Sequence, residues 1–105
     1  MSREVPDGWL KTGRREYENR TVDVEVKFQP TPEQDGNFEV WIVDERVEES
    51  TRVENIQPTE TDGRELAKDV MDAFTAAFEA AVDEGADEDD AVAQAIGQAA
   101  AESRV

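Results

Sequence analysis

The stretch from Asp62 to Glu84 constrains this chain more than any other, because it alone is long and periodic enough to seed a core. Leu66, Val70, Phe74, Phe78 and Val82 recur at every fourth position, with Ala67, Met71, Ala77 and Ala81 filling in beside them. Lys68, Asp69, Asp72, Thr75, Glu79 and Asp83 take the opposite side. That is the pattern of an amphipathic helix with one apolar stripe. Asp62 suits its N-cap, Glu65 completes a capping box, and Gly85 suits its C-terminal stop. Such a helix needs an apolar surface to lie on.

The alternating segments before it supply that surface. Val22, Val24, Val26 and Phe28 alternate with Asp23, Glu25 and Lys27, which reads as a half-buried strand. The next segment, Gln29 to Asn37, holds Pro30, Pro32 and Asp35-Gly36, the residues of a long hairpin loop. Phe38 to Asp44 is the second firm strand, and it is apolar on both faces: Phe38, Val40 and Ile42 on one, Trp41 and Val43 on the other. Residues 46–50 read as a turn. Thr51 to Ile56 alternates weakly, and Arg52 and Glu54 suit an edge strand. Arg14 to Glu18, carrying Tyr17, reads as a short first strand. Met1 to Thr12 reads as an arm anchored by Trp9-Leu10.

A second helix follows the first at once, with Asp87 as N-cap and Glu88, Asp89 and Asp90 in its first turn. Its inward face is Val92, Ile96, Ala99 and Ala100, widened by Ala91 and Ala95. Small residues here and on the first helix suit a closely packed antiparallel helix pair. Gly97 interrupts it, and contact with a neighbour is the expected reason. The predicted fold is a single α+β domain over residues 1–105. Its parts are an arm (1–12), a sheet region (13–57) forming an antiparallel meander of three to four strands, and a two-helix hairpin (62–84 and 87–102) on one face.

Thirteen of the apolar residues are alanine, so the core is modest and self-association would add burial. The helices can cover one face of a small sheet. Trp41 and Val43 on the other therefore want cover from the arm, the proline loop or a second copy of the chain. An aromatic residue on a second strand face is a natural interface hot spot. The expected interface residues are Trp41, Val43, Trp9 and Tyr17, and the expected partner is a second copy in a homodimer.

Charge bears on partners. The chain carries 27 acidic against 11 basic side chains, a net charge of −16, which repels nucleic acid phosphates and anionic lipid. With three lysines against eight arginines, its composition and strand-then-helix layout resemble the small acidic proteins of haloarchaea. That resemblance implies a surface adapted to concentrated salt and no particular activity. The N-terminal residues lack an apolar leader region and no run is long enough to span a bilayer, so the expectation is a cytoplasmic protein without membrane association.

Candidate chemistry is sparse. Cysteine and histidine are both absent, which removes disulfides, thiolate zinc sites and thiol or imidazole catalysis. Six carboxylates lie within residues 83–90, but their spacing does not match an EF-hand and helix capping accounts for them. Lys11, Arg14, Arg15 and Arg20 lie among Trp9 and Tyr17, a pattern that can bind single-stranded nucleic acid, although pairing with the chain's own acids is the simpler expectation. Ser2, Ser50 and Ser103 lack an identifiable base, and no glycine-rich phosphate loop occurs. No catalytic, cofactor-binding or metal-binding residue is predicted. The leading expectation is a non-enzymatic protein–protein interaction module. The alternatives are an acidic regulator or inhibitor that engages a basic partner by imitating nucleic acid, and a carboxylate-based enzyme working in a pocket of converging acids.

Overall fold

The computed structural model describes residues 5–32 and 36–102. The start of the arm, the middle of the proline loop including Asp35, and residues 103–105 lie outside the described residues.

Five strands form one antiparallel sheet: β1 (Trp9–Gly13), β2 (Glu16–Asn19), β3 (Val24–Pro30), β4 (Phe38–Asp44) and β5 (Glu49–Gln57), each paired with the next in sequence. Two helices, α1 (Glu60–Asp83) and α2 (Glu88–Glu102), follow and pack together on one face. The predicted α+β order is correct, but the meander has five strands where three to four were expected. The additional strand is β1, read from sequence as part of the arm. The Trp9 N–H closes a turn on the Pro6 carbonyl at 3.2 Å, with Gly8 at φ 87°, and the chain then pairs Trp9 with Asn19, Leu10 with Glu18 and Lys11 with Tyr17. β1 is short, and its register shifts between Lys11 and Gly13, so period-two alternation never develops.

Cross-strand rows show how the covered face is filled. Tyr17 lies opposite Val26, and Val26 opposite Ile42; Phe28 lies opposite Val40, and Val40 opposite Val53. All six are buried, against Leu66, Val70, Met71 and Phe74 of α1 and Val92 and Ile96 of α2. Trp9 fastens the edge strand to this layer. Its ring meets Phe74 edge-on at 5.7 Å, and its Nε1–H donates to Thr75 Oγ1 at 3.0 Å. At the other end of α1, Gly63 lets the helix rest directly on the sheet, because a Cβ there would lie 3.0 Å from Phe38 Cβ and 3.3 Å from Phe28 Cδ2.

Several boundaries differ from expectation for local reasons. The N-cap of α1 is Thr59, not Asp62: the Thr59 hydroxyl accepts the Asp62 N–H at 3.1 Å, which places Asp62 in the first turn. The five-residue row does not stay inward either. A step of four residues turns an α-helix about 40° past a full circle, so Leu66, Val70 and Phe74 are buried, Phe78 is half-buried and Val82 is 45% exposed. Ala77 and Ala81 take over the inward face.

The junction between the two helices matches the sequence reading. Gly85 adopts φ 96°, with Ala86 N–H on the Ala81 carbonyl and Gly85 N–H on the Val82 carbonyl, both at 3.0 Å. Asp87 caps α2 by accepting the Asp90 N–H at 2.8 Å. Gly97, by contrast, is exposed, and a Cβ there would meet nothing within 4 Å, so close packing does not account for it.

Candidate interaction surface

Among the described residues no helix lies on the second face of the sheet. Alternation along each strand places Glu16 and Glu18 of β2, Glu25, Lys27 and Gln29 of β3, Glu39, Trp41 and Val43 of β4, and Ser50 and Arg52 of β5 on it. One cross-strand row runs Leu10, Glu18, Glu25, Val43 and Ser50; the next runs Glu16, Lys27, Trp41 and Arg52. Trp41 and Val43 are half-buried at the centre, with polar side chains on the strands around them. Leu10 is 52% exposed at the β1 edge. The arm's tryptophan, expected as one possible cover for Trp41 and Val43, lies instead in the core on the other face.

Trp41 is held in place from below. Its indole N–H donates to Glu39 Oε2 at 2.8 Å, and the guanidinium of Arg52, directly across on β5, stands 4.0 Å from the same oxygen. Glu39 is only 3% exposed although it lies on the helix-free face. A carboxylate withdrawn from water needs such partners. Their effect is to fix the large ring at a defined position, so that presenting it to a partner costs little side-chain entropy.

Charge is unevenly spread over this face. Lys27 holds no salt bridge among the described residues and lies beside Trp41 on the opposite flank from Arg52. Toward β2 the face is acidic. Partial loss of water, together with Glu16 and Glu45, pushes the Glu25 carboxyl above its ordinary range, with Lys27 pulling the other way. Glu45, at the turn leaving β4, is raised in the same sense by desolvation, Glu18 and Asp23.

The four expected interface residues thus divide between the faces. Trp41 and Val43 share the helix-free face, whereas Trp9 and Tyr17 are buried in the core beneath the helices. Tyr17 carries the one buried side-chain polar atom without a hydrogen-bond partner among the described residues, its hydroxyl. A signal for its placement was available, because Glu16-Tyr17-Glu18 alternates in phase with Val26 once the hairpin is paired. Glu39 and Lys27 were not singled out from sequence, and Arg52 reads there only as an edge-strand charge. A charged residue in an alternating strand reads as solvated, and only the cross-strand register brings these three around Trp41.

The locally basic stretch is partly neutralised within the chain. Glu60 meets Arg15 through Nε at 2.8 Å and through a second guanidinium nitrogen, Arg14 at 3.5 Å and Arg64 at 3.8 Å. The Arg15 hydrogen bonds, then the charges of Arg14, Arg15 and Arg64, hold its carboxyl below the ordinary range against the effect of desolvation. The guanidinium groups of Arg15 and Arg64 also lie over the Phe38 and Phe28 rings, at 5.3 and 5.6 Å.

Of the acids at the helix junction Asp87 serves as a cap and Asp89 pairs with Arg46, and no group of three or more carboxylates among the described residues is placed to hold a metal ion. A groove of about 680 Å³ runs between the end of β5 and α1, lined by Asn55, Gln57, Asp62, Glu65, Leu66, Asp69, Ala73 and Glu102. Desolvation, with Asp72 and Glu65 nearby, raises the Asp69 carboxyl. A carboxylate-based catalyst or a cationic side chain would find its acids here. No helix among the described residues is long and apolar enough to cross a membrane. No family model matches the chain, and neither the curated proteins nor the solved structures contain a significant match to it.

Proposed function

We propose that this protein is a non-enzymatic protein–protein interaction module that docks through the helix-free face of its sheet and associates as a homodimer. The observation that carries the proposal is the pair Trp41 and Val43, half-buried at the centre of that face, with the indole fixed by Glu39. An apolar centre with a large anchored aromatic residue and a polar surround is the anatomy of a recognition surface. The acidic exterior belongs to the same reading: in concentrated salt its self-repulsion is screened over a Debye length of about 3 Å at 1 M, while apolar association persists. Sedimentation equilibrium in molar salt tests it. Wild-type protein is expected to dimerise and the Trp41→Ala variant to remain monomeric; a wild-type monomer throughout would remove the proposal.

A second reading, an acidic regulator engaging a basic partner, draws support from the groove that gathers Asp62, Glu65, Asp69 and Glu102. Salt separates the two. Binding through carboxylates weakens as salt rises, whereas docking through Trp41 and Val43 persists or strengthens.

A further inference from the structure

The helix-free face carries a charge pattern that selects how two copies meet. Its two central rows are about 7 Å apart, the span of two residues along a strand. They place Glu25 beside Val43 and Lys27 beside Trp41. We infer that two copies pair face to face about a two-fold axis running across the strands midway between these rows, so that β4 stacks on its counterpart, Trp41 meets Val43 of the partner subunit and Lys27 meets Glu25 of the partner subunit. This inference rests on the docking reading above and adds the partner's identity and register.

An isologous contact makes every pairing twice, so a favourable pair is doubled and so is an unfavourable one. The main competing symmetric arrangement has its axis along β4. It exchanges β3 with β5, setting Lys27 against Arg52 of the partner subunit and leaving Glu25 opposite Ser50 of the partner subunit. That arrangement doubles a cation–cation contact beside the two tryptophans. The axis across the strands instead exchanges the two rows and answers each Lys27 with a carboxylate. It also answers Glu25, whose carboxyl is crowded by Glu16, Glu45 and Glu18 within its own chain.

Its adverse pairings are Glu18 with Glu16 of the partner subunit and, one row further out on β4, Glu39 with Glu45 of the partner subunit. Glu16 and Glu18 lie two strands from β4, and stacked sheets cross at about 30°, so that corner opens away from the contact; Glu39 is 3% exposed and is already met by Trp41 and Arg52 of its own chain. The footprint is small. Four gaps of about 4.8 Å by strands of about 20 Å give an area on the order of 400 Å² per copy, below the usual size of a stable interface. Association is therefore expected at micromolar concentrations or above, and stacking in register is what lets so small a face suffice.

Charge reversal tests the register without touching Trp41. Lys27→Glu and Glu25→Lys are made separately, shown to be folded by near-ultraviolet circular dichroism, and compared with wild type by sedimentation equilibrium. Each variant alone is expected to weaken self-association at least about tenfold, because each doubles a like-charge contact. An equimolar mixture is expected to recover a heterodimer within about threefold of wild-type affinity, since both of its Lys–Glu contacts are then complementary. Should either reversal unfold the chain, Lys27→Gln and Glu25→Gln probe the same contact, each with an expected loss of about threefold.

If wild type dimerises and Trp41→Ala abolishes it, yet the reversals have no effect or the mixture stays monomeric, this register is wrong while docking through the face stands. If wild type is monomeric at all concentrations, the docking reading falls and the register with it.

Discussion

The two faces of the sheet are built from the same strands but do opposite work. On the covered face, Val24, Val26, Phe28, Val40, Ile42, Val53 and Tyr17 form a continuous apolar layer closed by α1 and α2. On the other face only β4 contributes large apolar side chains at the centre, and the neighbouring positions are charged or polar. A face that is apolar throughout is completed within the chain. One that is apolar at two central positions, with its tryptophan tethered to a buried carboxylate, is suited to a small and specific contact.

The largest expected effect separates the faces directly. Phe74 lies fully buried between Trp9 and Phe78, so Phe74→Ala is expected to cost about 3–5 kcal/mol. Trp41→Ala removes an even larger ring, yet in dilute protein it is expected to cost under about 2 kcal/mol. Denaturant titration of both variants makes the comparison; equal losses would mean that the second face belongs to the folding core.

Two glycines of the helix layer sharpen the contrast. Gly63→Ala presses a methyl group into Phe38 and Phe28 and is expected to destabilise by about 1–3 kcal/mol. Gly97→Ala enters open space and is expected to stabilise by about 1 kcal/mol through helix propensity alone. Thermal melts of the pair should move in opposite directions, by several degrees for each kcal/mol in a domain of this size.

Much of this arrangement was legible in the sequence. β3 alternates cleanly because its covered face alone demands apolar residues at every second position, β4 shows the same inward row with Trp41 and Val43 on its other face, and the helix junction is spelled out by Gly85 and Asp87. Less legible were features set by pairing. β1 has no alternation of its own and exists because β2 offers it a partner. Trp9 belongs to the core because Thr75 and Phe74 receive it, which no local pattern reveals. Val82 leaves the apolar stripe because the helix turns away beneath it. On the open face, Trp41 and Val43 were visible as a second apolar row, whereas the burial of Glu39 and the flanking places of Lys27 and Arg52 depend on strand register.

The smallest expected effect is on pH. Glu60 is lowered, so the folded state keeps it ionised where the unfolded chain has already taken up a proton; its contribution is present above the ordinary carboxyl value and is lost as pH falls through the lowered one. Glu25, Glu45 and Asp69 are raised, so the folded state holds protons that the unfolded chain has released; their contribution is lost as pH rises from the ordinary value through the raised one. Above the ordinary carboxyl value the contribution of Glu60 is constant and the raised groups set the sign, so low-salt melts are expected at higher temperature at about pH 5 than at about pH 7. Glu25→Gln is expected to flatten that slope. A steeper slope in this variant would contradict the crowding described for the acidic half of the open face.

The two tryptophans offer the most direct test, because each reports on one face. In a Trp9→Phe variant the sole indole is Trp41, and its emission and acrylamide quenching are followed in molar salt as protein concentration rises. Trp41 is expected to show red-shifted, readily quenched emission in dilute solution that shifts to the blue and becomes protected on concentration, while Trp9 in a Trp41→Phe variant stays blue and protected throughout. A Trp41 signal that does not change with concentration would contradict docking through the helix-free face.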